Sequence, residues 1–196
     1  TVTGSGVIDL PLEFRSGTDF FTVAVAPWRG LATYYVLFFS QLERRRISLA
    51  GVTRHPTSER MIQMARNATD ESVGFLRGQR YLLHDRDTKF CAAFLEVLRS
   101  SGIQPLTLPA RSPNLNAFAE RWVCSIRQEC LSKLILFGEA SLRRALSQYI
   151  EHHHLERNHQ GKGNLLLFPS PAGTLTLNGG TVRCSERLGG LPKFYS

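Results

Sequence analysis

Between Thr18 and Thr53 the chain carries three apolar runs crowded with aromatic and β-branched residues: TDFFTVAVA at 18–26, ATYYVLFFSQL at 32–42 and RRISLAGVT at 45–53. Gly30 and the charged stretch Glu43 to Arg45 interrupt them. Runs of this composition between breakers predict three consecutive strands, paired antiparallel. The period then changes. In HPTSERMIQMARNA, Met61, Ile62, Ala65 and Ala68 recur at helical spacing behind Pro56, with Thr57 or Ser58 as the cap. RYLLH predicts a short strand, and DTKFCAAFLEVLRSSG returns to helical spacing through Phe90, Phe94, Val97 and Leu98 before a stop at Gly102. Asp87 stands ahead of Phe90 where an N-cap belongs. IQPLTLP predicts another strand. SPNLNAFAERWVCSIRQECLSKL then places Ala119, Trp122, Val123, Ile126 and Cys130 on one helical face, and SLRRALSQYIEHHHLERN does the same for Leu142, Ala145, Leu146, Tyr149 and Ile150. Trp122 and Tyr149 are therefore expected in the core. The order β-β-β-α-β-α-β-α-α calls for an α/β fold, a mixed five-stranded sheet of three antiparallel strands then two parallel ones, flanked by helices.

Periodicity fails at both ends, where GSG, FPSPAGTLTLNGGT and LGGLP break it. The expected division is a poorly ordered or degenerate N-terminal segment over 1–17, a core over 18–164 and an irregular tail over 165–196.

Charge narrows the partner. Lys and Arg number 24 against 16 Asp and Glu, a net +8, which favours a polyanion, with nucleic acid ahead of a membrane surface. No run approaches the roughly 18 unbroken apolar residues of a membrane span, and the first residues lack the order of a signal peptide, so a cytoplasmic protein is expected. The four cysteines, at 91, 124, 130 and 184, contain no CxxC pair and read as reduced thiols, those within helices as small buried hydrophobes. His152, His153 and His154 are adjacent on a helix, where neighbours point about 100° apart, so they read as a solvated helix end rather than a zinc site. His84, at a strand end, reads as a locally hydrogen-bonded group rather than a proton shuttle.

Three acids occupy positions where a carboxylate makes poor decoration: Asp19 within an apolar strand, Asp85 at the end of another, and Glu120 on the long amphipathic helix. Hard divalent cations take oxygen ligands of this kind, and two such ions about 3.5 to 4 Å apart can drive an in-line phosphoryl displacement. Basic residues around an acidic pocket would hold the phosphate backbone. Arg127, seven positions after Glu120, shares its helical face, and Arg111, Arg121, Arg157 and Lys162 are further candidate phosphate contacts.

The three acids in this order, with Asp85 and Glu120 thirty-five positions apart, resemble the DDE triad of the integrase catalytic core found in retroviral integrases and bacterial insertion-sequence transposases. LPARSPNLNAFAERWVCSIRQECL is similar to that family's Pro, Ser-Pro, Asn, then Glu-Arg series leading into the helix with the last acid. ATYYVLFFSQLERRRISLAG resembles its second and third strands, HHHLERNHQGKGN the segment after its core, and ERLGGL the tail of one bacterial transposase group. The resemblance covers about residues 18–168 and implies a ribonuclease-H-like fold with two Mg²⁺ or Mn²⁺ ions per site. Asp19 and Asp85 would hold the ion that activates the nucleophile, Asp19 and Glu120 the second, and Asn116 would join the arginines and Lys162 on DNA. The implied activity is cleavage and joining of DNA strands in transposition or integration, without a covalent enzyme intermediate. The implied partners are double-stranded DNA, as element ends and target, and further copies of the chain assembled on it, in a bacterial, nucleoid-associated setting. The chain departs from the family at Asp85-Arg86-Asp87, where Asp-Asn-Gly is usual, and at Gln41, where an Asp is common. The alternatives are a truncated or degenerate transposase-derived DNA-binding protein without catalysis, and a plain ribonuclease-H-like nuclease.

Overall fold

Alternation along the first strand sets the architecture. In β1 (Arg15–Val25), Phe21, Val23 and Val25 are buried while Thr22 and Ala24 are exposed, so one face turns to a core and the other to water. The computed structural model describes residues 15–26, 30–109, 113–157, 167–168, 184–191 and 193–195. β1 pairs antiparallel with β2 (Ala32–Gln41), Asp19 opposite Phe38, and β2 pairs antiparallel with β3 (Arg46–Thr53). On its other side β1 runs parallel to β4 (Tyr81–His84), which is parallel to β5 (Gln104–Thr107). The sheet order is β3-β2-β1-β4-β5, the mixed five-stranded arrangement expected. The parallel pairs need helical crossovers, and these place helices on both faces.

One face packs under α1 (Ser58–Thr69) and α2 (Ala92–Ser100), burying Leu37, Phe39, Met61, Leu82, Phe94 and Leu98 together. Thr57 caps α1, its hydroxyl accepting from the Arg60 N–H at 3.4 Å. Gly102, at φ 77°, ends α2 in a Schellman arrangement, with Gly102 N–H donating to the Arg99 carbonyl and Ile103 N–H to that of Leu98, both at 2.9 Å. The opposite face packs under α3 (Pro113–Glu129) and α4 (Gly138–Leu155), where Phe21, Val23, Phe38, Trp122, Ile126, Leu146 and Tyr149 form the larger core. Trp122 and Tyr149 are buried as their helical faces require. A short hairpin, β6 (Cys184–Glu186) and β7 (Lys193–Tyr195), follows. Arg187 beside it pairs with Glu156 at 2.6 Å and Glu151 at 2.8 Å on or next to α4. The Arg187 guanidinium holds the Glu156 carboxyl below its ordinary range.

Four local expectations are corrected. β1 starts at Arg15 rather than Thr18, because Arg15 to Gly17 pair with β4, and the polar Ser16 is buried with its hydroxyl donating to Gln79 Oε1 at 2.9 Å. Asp87 does not cap α2, which begins at Ala92 behind Cys91. The Asp87 carboxylate instead accepts from Lys89 N–H at 2.9 Å and pairs with Lys89 Nζ, closing a turn ahead of the helix. The histidine run is not a solvated end: His153 is buried, His154 Nε2 accepts from Ile47 N–H at 2.9 Å, and His152 meets Glu156 at 2.9 Å. β3 packs against α4, and that contact turns an apparently polar stretch inward. Among the cysteines, Cys130 is buried, its thiol pushed up to about 11 by desolvation, whereas Cys124 is exposed. The expectations for 1–14 and for most of 165–196 lie outside the described residues.

Candidate active site

Register brings two of the three acids level. Gly17 faces Leu83 across the parallel β1 and β4 pair, so carrying the register forward two residues sets Asp19 beside Asp85. Asp19 shares the parity of Phe21 and Val23, which pack toward α3 and α4, so it emerges on the side that α3 covers. Asp85 lies one residue past the end of β4 and shares the parity of Leu83, hence the same side of the sheet. α3 crosses there with Glu120 exposed on it.

The meeting of strand and helix leaves an open cleft of about 420 Å³ lined by Asp19, Phe20, Phe21, Glu120, Val123, Cys124, Arg127 and Gln128. Residues 101 positions apart in sequence, Asp19 and Glu120, thus share one concave surface. Glu120, Cys124, Arg127 and Gln128 are the i, i+4, i+7 and i+8 positions of one helical stripe. The spacing that singled out Arg127 would also have found Cys124 and Gln128. Arg121 is exposed and turned about 100° from Glu120, outside the lining. The α3 backbone includes Asn116, whose side chain lies outside the described residues, as do Arg111 and Lys162 altogether. Arg157 pairs with Glu129 at 2.7 Å and donates to Tyr149 Oη at 2.9 Å, fastening the end of α4 to α3. Burial and the Glu129 carboxylate together raise the Tyr149 phenol.

Asp85 does not line the cleft. Its carboxylate accepts from Asp87 N–H at 3.0 Å and so closes its own loop. Among the described residues no three His, Cys, Asp or Glu side chains are gathered to hold a metal ion, so the structure brings together Asp19 and Glu120 and leaves Asp85 at their border. Asp19 Oδ1 accepts from Phe20 N–H at 2.7 Å. His84 is buried beneath this edge, and its Nδ1 lies 2.7 Å from the Asp85 carbonyl. A carbonyl only accepts, so Nδ1 carries the proton and Nε2 is left to accept from the Thr107 hydroxyl at 3.3 Å. Burial lowers the His84 pKa, which favours that neutral ring. His84 thereby acts as a local hydrogen-bonding post for the Asp85 backbone.

The donor chemistry suits a hard divalent cation: carboxylate oxygens that are exposed or half-buried, with an arginine and an amide beside them. Among the described residues no helix is long and apolar enough to cross a membrane.

No protein-family model matches the sequence, and no curated protein matches it. Solved structures do. A chain of the simian T-cell lymphotropic virus intasome, determined in complex with PP2A regulatory subunit B56 gamma, superposes with a TM-score of 0.59 at 13% identity, covering 93% of this chain. This chain spans 66% of the length of that one, a little under two thirds. The HTLV-2 integrase catalytic core domain in complex with magnesium, in its trimeric form, matches with a TM-score of 0.56 at 15% identity over 78% of this chain and 92% of its own. Its dimeric form gives 0.54 at 15% identity over 72% and 86%. At such identities the match establishes the fold: the ribonuclease-H-like fold of integrase catalytic cores, here a five-stranded mixed sheet flanked by helices.

Proposed function

We propose that the chain is a DNA transposase or integrase catalytic domain of the bacterial insertion-sequence type, binding DNA and carrying out divalent-metal-dependent strand cleavage and strand transfer. The observation that carries this reading is the shared cleft: Asp19 from the central strand and Glu120 from α3 line one surface together with Arg127. Carboxylates alone would repel a polyanion, and Arg127 supplies the positive charge that admits a phosphate. In this reading Asp19 and Asp85 would hold one Mg²⁺ or Mn²⁺ ion, and Asp19 and Glu120 a second. Such ions, when bound, would supply activation of the attacking oxygen and charge neutralisation at the leaving one. The magnesium in the HTLV-2 core structure supports a divalent cation for this fold.

The chain's own groups position the DNA. Arg127 and Gln128 hold a phosphate of the bound strand at the cleft, while Arg121, Asn116, Arg111 and Lys162 extend the contact along the backbone. Arg157 joins them by exchanging Glu129 for a phosphate. The cleft is open, as a macromolecular substrate requires, and water or a DNA 3′-hydroxyl attacks phosphorus directly. Copies of the chain assemble on paired element ends, a reading supported by the trimeric and dimeric forms of the HTLV-2 core. The catalytic unit is the core expected over 18–164, extended to Arg15 by the pairing of β1 with β4, and the protein works on bacterial nucleoid DNA in the cytoplasm.

The direct test incubates the protein with pre-cleaved duplex ends and a target duplex in Mg²⁺ or Mn²⁺. Joined products support the reading. Nicking without joining indicates a plain nuclease, and binding without either indicates a degenerate copy. Asp85→Asn and Asp87→Asn separate the neighbouring acids, because an Asn side chain can still accept the loop N–H bond in each case. Asp85→Asn should abolish joining with the fold retained. Asp87→Asn loses a partly exposed ion pair with Lys89 and should cost no more than about 1 kcal/mol by urea denaturation, with joining preserved. The reverse outcome would transfer the ligand role to Asp87.

The exposed Cys124 thiol offers a probe of the same cleft. Alkylation by N-ethylmaleimide should lower joining about tenfold or more in the wild type by displacing the bound strand, and should spare the Cys124→Ser variant. Equal sensitivity of the two proteins would place the active surface elsewhere.

A further inference from the structure

The turn between β4 and α2 carries a lysine whose charge has two kinds of partner. Lys89 Nζ pairs with the Asp87 carboxylate, and it also stands 5.4 Å from the centroid of the Phe20 ring and 5.3 Å from that of Tyr35. An ammonium at that distance from two aromatic rings is drawn to both. Phe20 belongs to β1 and Tyr35 to β2, where Leu37 is the partner of Phe20 and Thr22 that of Tyr35, so the two rings are diagonal neighbours on the sheet. The ammonium therefore fastens the turn to two strands at once.

The turn is closed from within. Phe90 N–H donates to the Asp87 carbonyl at 3.0 Å and Cys91 N–H to the Lys89 carbonyl at 2.8 Å, while Lys89 N–H donates to Asp87 Oδ1 at 2.9 Å. The next side chain, Phe90, sets its ring 5.3 Å from Phe20 and 5.2 Å from His84. Two consecutive residues, one charged and one apolar, thus meet Phe20 together. Asp87→Asn keeps an acceptor for the Lys89 N–H and leaves both rings in place, so it does not dismantle this clamp.

Both aspartates of the proposed site end in the same assembly. Asp85 Oδ1 accepts from Asp87 N–H at 3.0 Å, and Asp19 Oδ1 accepts from Phe20 N–H at 2.7 Å. One series of contacts therefore runs from Asp85 through Asp87 to Lys89, across to Phe20 and into Asp19. The two acids come from different elements, so their spacing is set by packing rather than by chain length. A small divalent cation tolerates little error there, since Mg²⁺ demands near-octahedral ligands at about 2.0 to 2.1 Å.

We propose that Lys89 is a positioning residue of the candidate metal site: it holds the Asp85 turn against Phe20 and thereby sets the spacing of the Asp85 and Asp19 carboxylates for a divalent cation. The inference rests on the reading of those two acids as ligands. Lys89 itself touches neither cation nor substrate. The sign of its effect separates positioning from plain electrostatics. Lys89 brings a positive charge toward a cation site, and its removal also uncovers the Asp87 carboxylate, so by charge alone its loss tightens cation binding. Loss of positioning weakens it.

The test follows Mn²⁺ binding to the full chain, without DNA, by the loss of the free-ion electron paramagnetic resonance signal. The wild type should bind, and Asp85→Asn should weaken binding about tenfold or more. Lys89→Ala should weaken it about tenfold as well, with the melting curve retained, because the side chain is partly exposed. Lys89→Arg should stay within about twofold of the wild type, since a guanidinium also lies on aromatic rings and meets a carboxylate. Tyr35→Leu, which lies outside the cleft lining, should weaken binding about threefold by removing one of the two rings. Unchanged or tighter binding in Lys89→Ala, with Asp85→Asn impaired, overturns the positioning role and leaves the ligand reading standing. No Mn²⁺ binding by the wild type, or full binding by Asp85→Asn, overturns the ligand reading and the positioning role with it.

Discussion

Glu120→Gln is expected to lower strand joining by roughly a thousandfold or more, about 4 kcal/mol in the barrier, with DNA binding and fold retained. The substitution keeps the shape of the side chain and removes its charge, so it isolates what the carboxylate does. Glu120 is exposed and makes no hydrogen bond or ion pair among the described residues. Its replacement should therefore change stability by less than about 0.5 kcal/mol, the usual range for a surface site. An exposed, unpaired glutamate contributes little to the fold, and its cleft position opposite Asp19 is where a cation would draw on it. Joining of pre-cleaved ends, duplex anisotropy and thermal melting form the three readouts. Joining at the wild-type rate would falsify the ligand role of Glu120 and with it the proposed chemistry.

Trp122→Ala is expected to destabilise the protein by about 3 to 5 kcal/mol, measured by urea denaturation. Trp122 is 2% exposed, and its ring lies 4.5 Å from the Phe38 centroid and 5.8 Å from that of Phe21. With Ala119 and Ile126 it packs α3 onto β1 and β2. A loss of that size is a large fraction of the roughly 5 to 15 kcal/mol that holds a domain together. The consequence reaches the cleft, because Trp122 is two residues from Glu120 and Phe21 two from Asp19. Trp122→Phe should be much milder. It keeps most of the apolar volume and removes an indole N–H that has no hydrogen-bond partner in the core. A small effect of Trp122→Ala would mean that α3 is held by the Ile126 and Cys130 end of the helix instead.

Several elements were legible because local pattern and tertiary environment agree. The strand and helix runs from β2 to α4 follow from apolar period, and Thr57 and Gly102 mark helix ends by chemistry that acts within a few residues. Where pattern failed, a distant partner decided. Arg15 and Ser16 fall in the segment expected to be poorly ordered but are strand residues, since β4 supplies the hydrogen bonds and Gln79 takes the Ser16 hydroxyl. His153 looks solvated but is covered, since α4 packs on β3. Asp87 has the chemistry of a cap and the wrong distance from α2, so its carboxylate closes a turn.

By itself the sequence determined the element order, the apolar faces, the basic charge and the helical stripe of Glu120 and Arg127, all properties of neighbours along the chain. Only the tertiary structure decided that Asp19 and Glu120 share one cleft, that Asp85 lies outside its lining with its carboxylate in its own turn, and that Arg157 is drawn to Glu129. Only the fold also seats Lys89 against the rings of Phe20 and Tyr35. The physical reason is common to these cases. Periodicity reports which way a side chain points from its own backbone, whereas the company it keeps depends on strand register and helix crossing, which are set by packing across the whole sheet.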